Sequence, residues 1–338
     1  MAAPCAAEIP VIDLAGNEAD VARQLVAAAE DHGFIYIRNL GRDVPPSAID
    51  QAFSLSRKLF AAPLEEKQRC AIQTNNRGWG GPDAETLDPK GQTVGDFKEA
   101  QQPLPACVAD DEASFAAFAD VCRRLCLKIL RLLGLGLDVG EFFSSAHFAT
   151  QAGSGTILRF LQYPHAASAA RPDPDVRAGA HSDYGSITLL FRLRGQAGLE
   201  VLRRDGAWAP VSVCPPGTEA DPAPPVLVNI GDLLSYWTNG LFRSTVHRVV
   251  FSAGDAAAVA GESCAETRYS IAFFCHPDNA CRLEPVPSRR VSDYRPAGEA
   301  PDTNPYAKRR VMTAEEHLFM RLRETYGSLY GNVESQAL

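Results

Sequence analysis

The sequence lacks the features that mark several large classes of protein. No apolar run is long enough to cross a bilayer: the most apolar stretch, Leu125 to Leu137, is short and is interrupted by Lys128 and Arg131. The nine cysteines (Cys5, Cys70, Cys107, Cys122, Cys126, Cys214, Cys264, Cys275 and Cys281) are odd in number and contain no Cys-x-x-Cys pair. They spell neither a disulfide framework nor a cysteine zinc site, and reduced thiols are expected. Positive charge is also in short supply, with 33 Lys and Arg against 41 Asp and Glu and a formal net charge of −8. Nucleic-acid binding draws its affinity from cations on phosphates, so a DNA or RNA partner is disfavoured. The first residues, Met1 to Leu14, have no basic residue ahead of an apolar run and already include Glu8 and Asp13. A secretory leader is therefore not expected, and a cytoplasmic location is. A small molecule is the expected partner, no membrane is, and the oligomeric state is left open.

What is present is ordinary globular material, 46% hydrophobic and 22% charged over 338 residues, enough to bury a large core without covalent staples. Asn17 to His32 fits an Asn-capped helix stopped by Gly33, and Phe34 to Ile37 then fits a strand. Ser47 to Phe60 and Ala109 to Leu133 fit two more helices. The second carries Phe115, Phe118, Cys122, Leu125 and Ile129 at three- and four-residue steps, a stripe that must face a core. Between them, Asn75 to Pro105 is rich in Gly, Pro, Asn and Asp and is expected to be an irregular loop over a pocket.

After Gly155 the period becomes strand-like, over Thr156–Tyr163, Ile187–Phe191, Leu199–Leu202, Val226–Ile230, Ser244–Val250 and Arg268–Phe274. Short strands separated by Gly, Pro and Asp predict a barrel or jelly roll, mainly β with flanking helices. A last helix, Thr313 to Tyr330, opens on a capping box of Thr313 and Glu316. These changes of period divide the chain into an N-terminal mixed region (1–150), a jelly-roll core (151–280) and a C-terminal extension (281–338).

The chemistry centres on His181-Ser182-Asp183. In extended backbone, residues two apart leave the same face, so an imidazole and a carboxylate can share one metal. One such pair proves little, since seven His and 22 Asp in this length give about half a match by chance. A second pair, His276 and Asp278, holds Pro277 between its members and is expected to be a strand exit. His247 supplies the third ligand that the first pair needs. Two His and one carboxylate leave three coordination positions open, which suits non-haem Fe(II) and oxygen. Arg268 and Ser270 are again two apart in strand-like sequence; a guanidinium fork with a hydroxyl beside it matches the far carboxylate of a dicarboxylic co-substrate.

These segments, together with Ile9–Leu14, Asn76-Arg77-Gly78-Trp79, Asp96–Glu99, Leu158–Pro164, Tyr184-Gly185-Ser186 and Asn229-Ile230-Gly231-Asp232, resemble a known family over nearly the whole chain. It is the 2-oxoglutarate and Fe(II)-dependent oxygenases related to isopenicillin N synthase, most closely the fungal thymine 7-hydroxylase-type members. The resemblance implies a double-stranded β-helix with Fe(II) on His181, Asp183 and His247, and O2 as oxidant. It also implies 2-oxoglutarate held by Arg268 and Ser270 with Tyr163 adding a hydroxyl contact. Two departures stand out. Ala100-Gln101-Gln102-Pro103 follows Lys98-Glu99 where the family usually has an aromatic, and 21 positions separate His247 from Arg268, a spacing that suggests an inserted loop over 252–266.

The same resemblance implies hydroxylation of a small ring compound, with a methyl group as one target and fungal secondary metabolism as one setting. Arg159, Tyr184, Phe274 and Trp79 are the candidate substrate residues. By simple alternation Arg159 could equally face solvent, and Trp79 could be plain packing. His32, His147, His165 and His317 are expected to be structural. Two other readings remain at this point: an iron oxidase that seats its own substrate's carboxylate on Arg268, and an inactive barrel that binds a small molecule.

Overall fold

The computed structural model describes residues 6–73, 77–81, 99–101, 105–150, 153–163, 176–250, 267–295 and 310–325. In chain order the strands are β1 (Val11–Ile12), β2 (Phe34–Ile37), β3 (Glu99–Gln101), β4 (Ile157–Tyr163), β5 (Val176–His181), β6 (Ile187–Arg192), β7 (Leu199–Leu202), β8 (Trp208–Pro210), β9 (Val226–Ile230), β10 (His247–Val250) and β11 (Arg268–Cys275). The helices are α1 (Glu18–Asp31), α2 (Pro46–Phe60), α3 (Leu64–Arg69), α4 (Glu112–Gly136), α5 (Asp232–Trp237), α6 (Arg289–Asp293) and α7 (Ala314–Thr325). A seven-stranded sheet, ordered β1-β2-β9-β6-β11-β4-β3, stands with a four-stranded sheet, β5-β10-β7-β8. Every pairing is antiparallel except β1 with β2. These two sheets with their helical flank make a double-stranded β-helix.

Strand periodicity explains how one sheet builds two cores. On β11, Ile271, Phe273 and Cys275 join the core beneath the helices; their partners of that parity are Leu158 and Phe160 on β4, and Ile187, Leu189 and Phe191 on β6. Residues of the other parity, including Phe34, Leu161, Tyr163, Leu227 and Ala272, turn toward Ala178, Leu199, Val201 and Val249 of the smaller sheet. α4 closes the helical side through the expected stripe, with Phe115 edge-on to Phe160 at 5.3 Å and Phe118 tilted on Phe191 at 5.1 Å. Such aromatic pairs add about 0.5–1.5 kcal/mol beyond the area they bury.

Several expected boundaries shift. The Asn17 carboxamide oxygen caps α1 by accepting from the Ala19 and Asp20 N–H groups, as its sequence suggests. The strand expected over Ser244–Val250 starts only at His247. The stretch 75–105 is not wholly irregular, because Glu99–Gln101 pairs as the edge strand beside β4; most of the remainder lies outside the described residues. The capping box at Thr313 is formed: Glu316 N–H donates to Thr313 Oγ1 and Thr313 N–H to the Glu316 carboxylate. α7 is described as far as Thr325; 326–330, which the expected helix also covered, lie outside the described residues, as do 252–266. The described cysteines are all free thiols. No described helix is long and apolar enough to cross a membrane.

The turn from α1 to β2 reaches toward the metal-ligand candidates. Gly33 sits at φ +67°, and a Cβ there would lie 2.1 Å from the Arg243 carbonyl oxygen. That close approach lets Thr245 Oγ1 donate to the His32 carbonyl at 2.7 Å, two residues before His247. Gly33→Ala combines backbone strain with a main-chain clash, so it should cost more than about 1 kcal/mol of stability. The check is the urea midpoint; a variant as stable as the original chain would refute this account of the turn.

Candidate functional site

The two sheets enclose a cavity into which β4, β5, β6, β9, β10 and β11 all point side chains. β5 ends on His181, and the chain turns there, so Asp183 sits just beyond the strand rather than within it as the sequence suggests. β10 starts on His247 directly opposite His181. The two imidazole centroids are 4.4 Å apart. Asp183 Oδ1 lies 3.8 Å from His181 Nε2 and 3.7 Å from His247 Nε2. Those separations are too long for hydrogen bonds. One ligand atom from each residue falls within 4.8 Å of the others, a spacing that fits donors around a common ion.

The hydrogen bonds behind these groups orient them. His181 Nδ1 faces the Gly179 carbonyl at 2.7 Å and His247 Nδ1 faces the Thr245 carbonyl at 3.1 Å. A carbonyl only accepts, so each Nδ1 carries the proton and each Nε2 keeps its lone pair for a metal. Thr188 Oγ1 and Asn229 Nδ2 both donate to Asp183 Oδ2, at 2.6 and 2.7 Å, while Oδ1 is the oxygen that faces the imidazoles. Burial alone would raise the Asp183 carboxyl; the cationic forms of His247 and His181, with these two donors, overcome it and hold the group below the usual carboxylate range. With an ion in place of those protons, the donor set would be two neutral imidazoles and one carboxylate, which suits Fe(II).

At the end of the cavity formed by the start of β11, Arg268 and Ser270 are both buried and both line it. Arg268 Nε donates to the Ala197 carbonyl, and its guanidinium lies 4.8 Å from the centre of the Tyr163 ring, whose residue is its register partner on β4. Arg159 pairs in register with Ala272 and faces the cavity, its guanidinium 5.7 Å from the Phe274 ring. The solvent-facing alternative for Arg159 is thereby excluded: it has the inward parity of Leu161 and Tyr163. Phe274 and Tyr184 line the cavity as well.

Trp79 does not line this cavity. It bridges Ala71 and lies over the Lys67 ammonium at 5.8 Å.

Some cavity residues escape the sequence reading. Leu318 and Leu322 of α7 form part of the wall, and so do Phe34 and His276. Asn229, inside the apolar strand Val226–Ile230 and in phase with Leu227, carried a signal, because a buried amide needs a partner. The Leu residues of α7 carried none, since any amphipathic helix shows such a stripe. The helix is fixed by Arg321, which pairs with Asp232 at 2.9 Å; Asp232 also accepts from Ser182 Oγ at 2.9 Å, and its N–H donates to the Asp183 carbonyl at 2.7 Å. Burial raises the Asp232 carboxyl, and Arg321 opposes the rise.

The comparisons agree with this geometry. Residues 154–277 match the model for the 2OG-Fe(II) oxygenase superfamily, and residues 9–114 match that for the non-haem dioxygenase in morphine synthesis N-terminal region. UPF0676 protein C1494.01 of Schizosaccharomyces pombe is 35% identical, over 82% of this chain and 85% of its own. Proline hydroxylase buaE of Petromyces alliaceus is 31% identical, over 92% and 95%. The full-length Neurospora crassa thymine 7-hydroxylase, solved with α-ketoglutarate (2-oxoglutarate) and thymine, superposes with a TM-score of 0.74 at 26% identity, covering 94% of this chain and 96% of that one.

Three buried histidines outside the cluster set the acid limit of the fold. Burial pushes His147 down to about 4, His276 to about 3 and His317 to about 4, from an ordinary value of 6.5. Between those values the unfolded chain binds protons that the folded chain refuses. Stability is therefore full above about pH 6.5 and falls as the pH drops, by at most about 1.4 kcal/mol per pH unit for each histidine. His317→Gln should flatten that slope by one proton, read from urea midpoints between pH 7.5 and 5; an unchanged slope would mean that His317 is not held neutral by the fold.

Proposed function

Because this chain belongs to the 2OG-Fe(II) oxygenase superfamily and is a 2-oxoglutarate-dependent dioxygenase using Fe(II), 2-oxoglutarate and O2, we propose that it hydroxylates a C–H bond, such as one on a methyl group, of a small ring compound. The observation that carries the reading is the convergence of three groups on one cavity: the His181, Asp183 and His247 cluster; Arg268, Ser270 and Tyr163; and Arg159, Tyr184, Phe274 and two leucines of α7. The second group suits a carboxylate, and the third an apolar ring with a hydrogen-bond acceptor.

In this reading His181, Asp183 and His247 hold the iron on one face, and Arg268 with Ser270 anchors the far carboxylate of 2-oxoglutarate, with Tyr163 beside it. The iron, when bound, supplies oxygen activation coupled to decarboxylation of 2-oxoglutarate to succinate. The protein's own part is position and dryness. Thr188 and Asn229 fix the rotation of the Asp183 carboxylate. The backbone carbonyls fix the tautomers of both imidazoles, and the apolar wall excludes water from the C–H bond that reacts. Arg159 offers donors to a ring carbonyl or carboxylate, and Phe274 and Tyr184 offer faces to the ring. The thymine held by the Neurospora structure and the proline named for the Petromyces relative are both small rings, which supports this size of substrate. The fungal relatives support a setting in fungal secondary metabolism.

The test is succinate release under Fe(II) and O2 across a panel of small carbocycles and heterocycles that includes thymine and L-proline. Stimulation by at least one ring is expected, and no stimulation by any would defeat the reading. His181→Ala, Asp183→Ala and His247→Ala should each abolish turnover, because two ligands do not hold Fe(II) with an open face. Arg268→Gln should weaken 2-oxoglutarate binding by about 2–4 kcal/mol, roughly thirty- to a thousandfold, with iron affinity unchanged. Arg268→Lys should recover part of that loss. A defect confined to the organic substrate would place Arg268 on the wrong ligand.

A further inference from the structure

β11 presents Arg268, Ser270, Ala272 and Phe274 to the cavity, and His276 continues that alternation one step beyond the end of the strand. Arg268 and His276 thus stand at opposite ends of one inward row. His276 is only 4% exposed, yet it is part of the cavity wall. Its Nδ1 is enclosed without a hydrogen-bond partner. His317, on α7 and fully buried, does not relieve it, since both of its own ring nitrogens are also without partners.

The chain makes room for this imidazole on two sides. A Cβ on Gly155 would lie 3.1 Å from His276 Nδ1 and 2.5 Å from the Leu318 side chain; a Cβ on Gly185 would lie 2.8 Å from His276 Nε2. Gly155 is itself a cavity residue, and Gly185 follows Tyr184, which is another. Nδ1 is sealed, so Nε2, which has no hydrogen-bond partner among the described residues, is the ring nitrogen left to the cavity. In a neutral imidazole that nitrogen is a donor or an acceptor according to the tautomer. An amide, a lactam or a hydroxyl carries both functions and answers either tautomer, whereas a carboxylate only accepts.

We propose that His276 is a specificity-determining residue that hydrogen-bonds an uncharged polar group on the end of the organic substrate farthest from Arg268. The substrate class narrows accordingly to rings carrying an amide-like or hydroxyl function. This rests on the ring-compound reading above. The second His-x-Asp pair of the sequence then serves substrate recognition through its histidine, while Asp278 stays structural, accepting from the Thr150 N–H at 2.8 Å.

The experiment is anaerobic calorimetry on the Fe(II) and 2-oxoglutarate-loaded enzyme, titrated with thymine, 2-pyridone, phenol and toluene. The original enzyme should bind at least one of the three polar rings better than toluene. His276→Leu should lose about five- to tenfold for that ring with toluene unchanged, and His276→Gln, which keeps a donor and an acceptor, should recover most of the loss. Iron affinity should be the same in all three proteins, which also reports that each is folded. Equal binding of the polar ring by the original enzyme and His276→Leu, or a parallel loss for toluene, overturns the role of His276 while leaving the ring reading intact. Failure of every ring to bind the original enzyme overturns both.

Discussion

A carboxylate taken out of water is the constraint around which this molecule is arranged. Asp183 is 8% exposed, and an ionised group at that depth is tolerated only where other groups replace its hydration. Thr188 on β6 and Asn229 on β9 replace it at Oδ2, and an ion shared between Oδ1 and the imidazoles at the end of β5 and the start of β10 would replace it at the other oxygen. Two strands of one sheet and two of the other must therefore converge on a single oxygen pair. The register that puts His247 opposite His181 and Thr188 opposite Asn229 is thereby tied to the site as well as to the core. A slip of one residue in either sheet would turn the ligands outward and leave the carboxylate without partners.

β11 shows how much work one strand does under that constraint. Its eight residues alternate between a dry helical core and a cavity, so Ile271 and Phe273 contribute stability while Ser270 and Phe274 line the cavity. Arg268 is the costly member, a buried cation that must find acceptors; one is the Ala197 carbonyl, and the Tyr163 ring covers its face. The guanidinium is fixed before any co-substrate arrives. Preorganisation of this kind removes side-chain entropy from the cost of binding.

Period and spacing made much of this legible in the sequence. The strands from β4 to β11 that alternate strongly were recoverable, as were α1 with its Asn cap and α7 with its capping box. His181, Asp183, His247, Arg268 and Ser270 converge on one cavity because two-residue spacing in a β context has a definite geometric meaning. What stayed hidden depends on tertiary proximity. β1, β3 and β8 are two or three residues long and exist only because a neighbouring edge accepts them. Trp79 had two readings in the sequence, substrate contact and plain packing; its bridge to Ala71 and its position against Lys67 support the second. His276 looked like a residue that merely ends a strand, and its place in the cavity wall appears only in the folded chain.

The two ends of the cavity are built by different means. The end near Arg268 is made of strands, whose hydrogen-bonded register leaves side chains little choice of direction. The other end is closed by α7, a helix contributed from outside the sheets, and by the turns that hold Gly155 and Gly185. α7 is nonetheless no loose cover. Arg321 pairs with Asp232, and Asp232 grips the turn between His181 and Asp183 through Ser182 and through its own backbone N–H. Lifting the helix would strand a buried carboxylate, a cost of about 3–5 kcal/mol where one partner of such a pair is lost. Leu318 and Leu322 are therefore as firmly seated as the strand residues across from them. The same ion pair ties the α7 wall of the cavity to the turn that carries a metal-ligand candidate, so a change in how α7 packs would be felt first at Ser182 and then at Asp183.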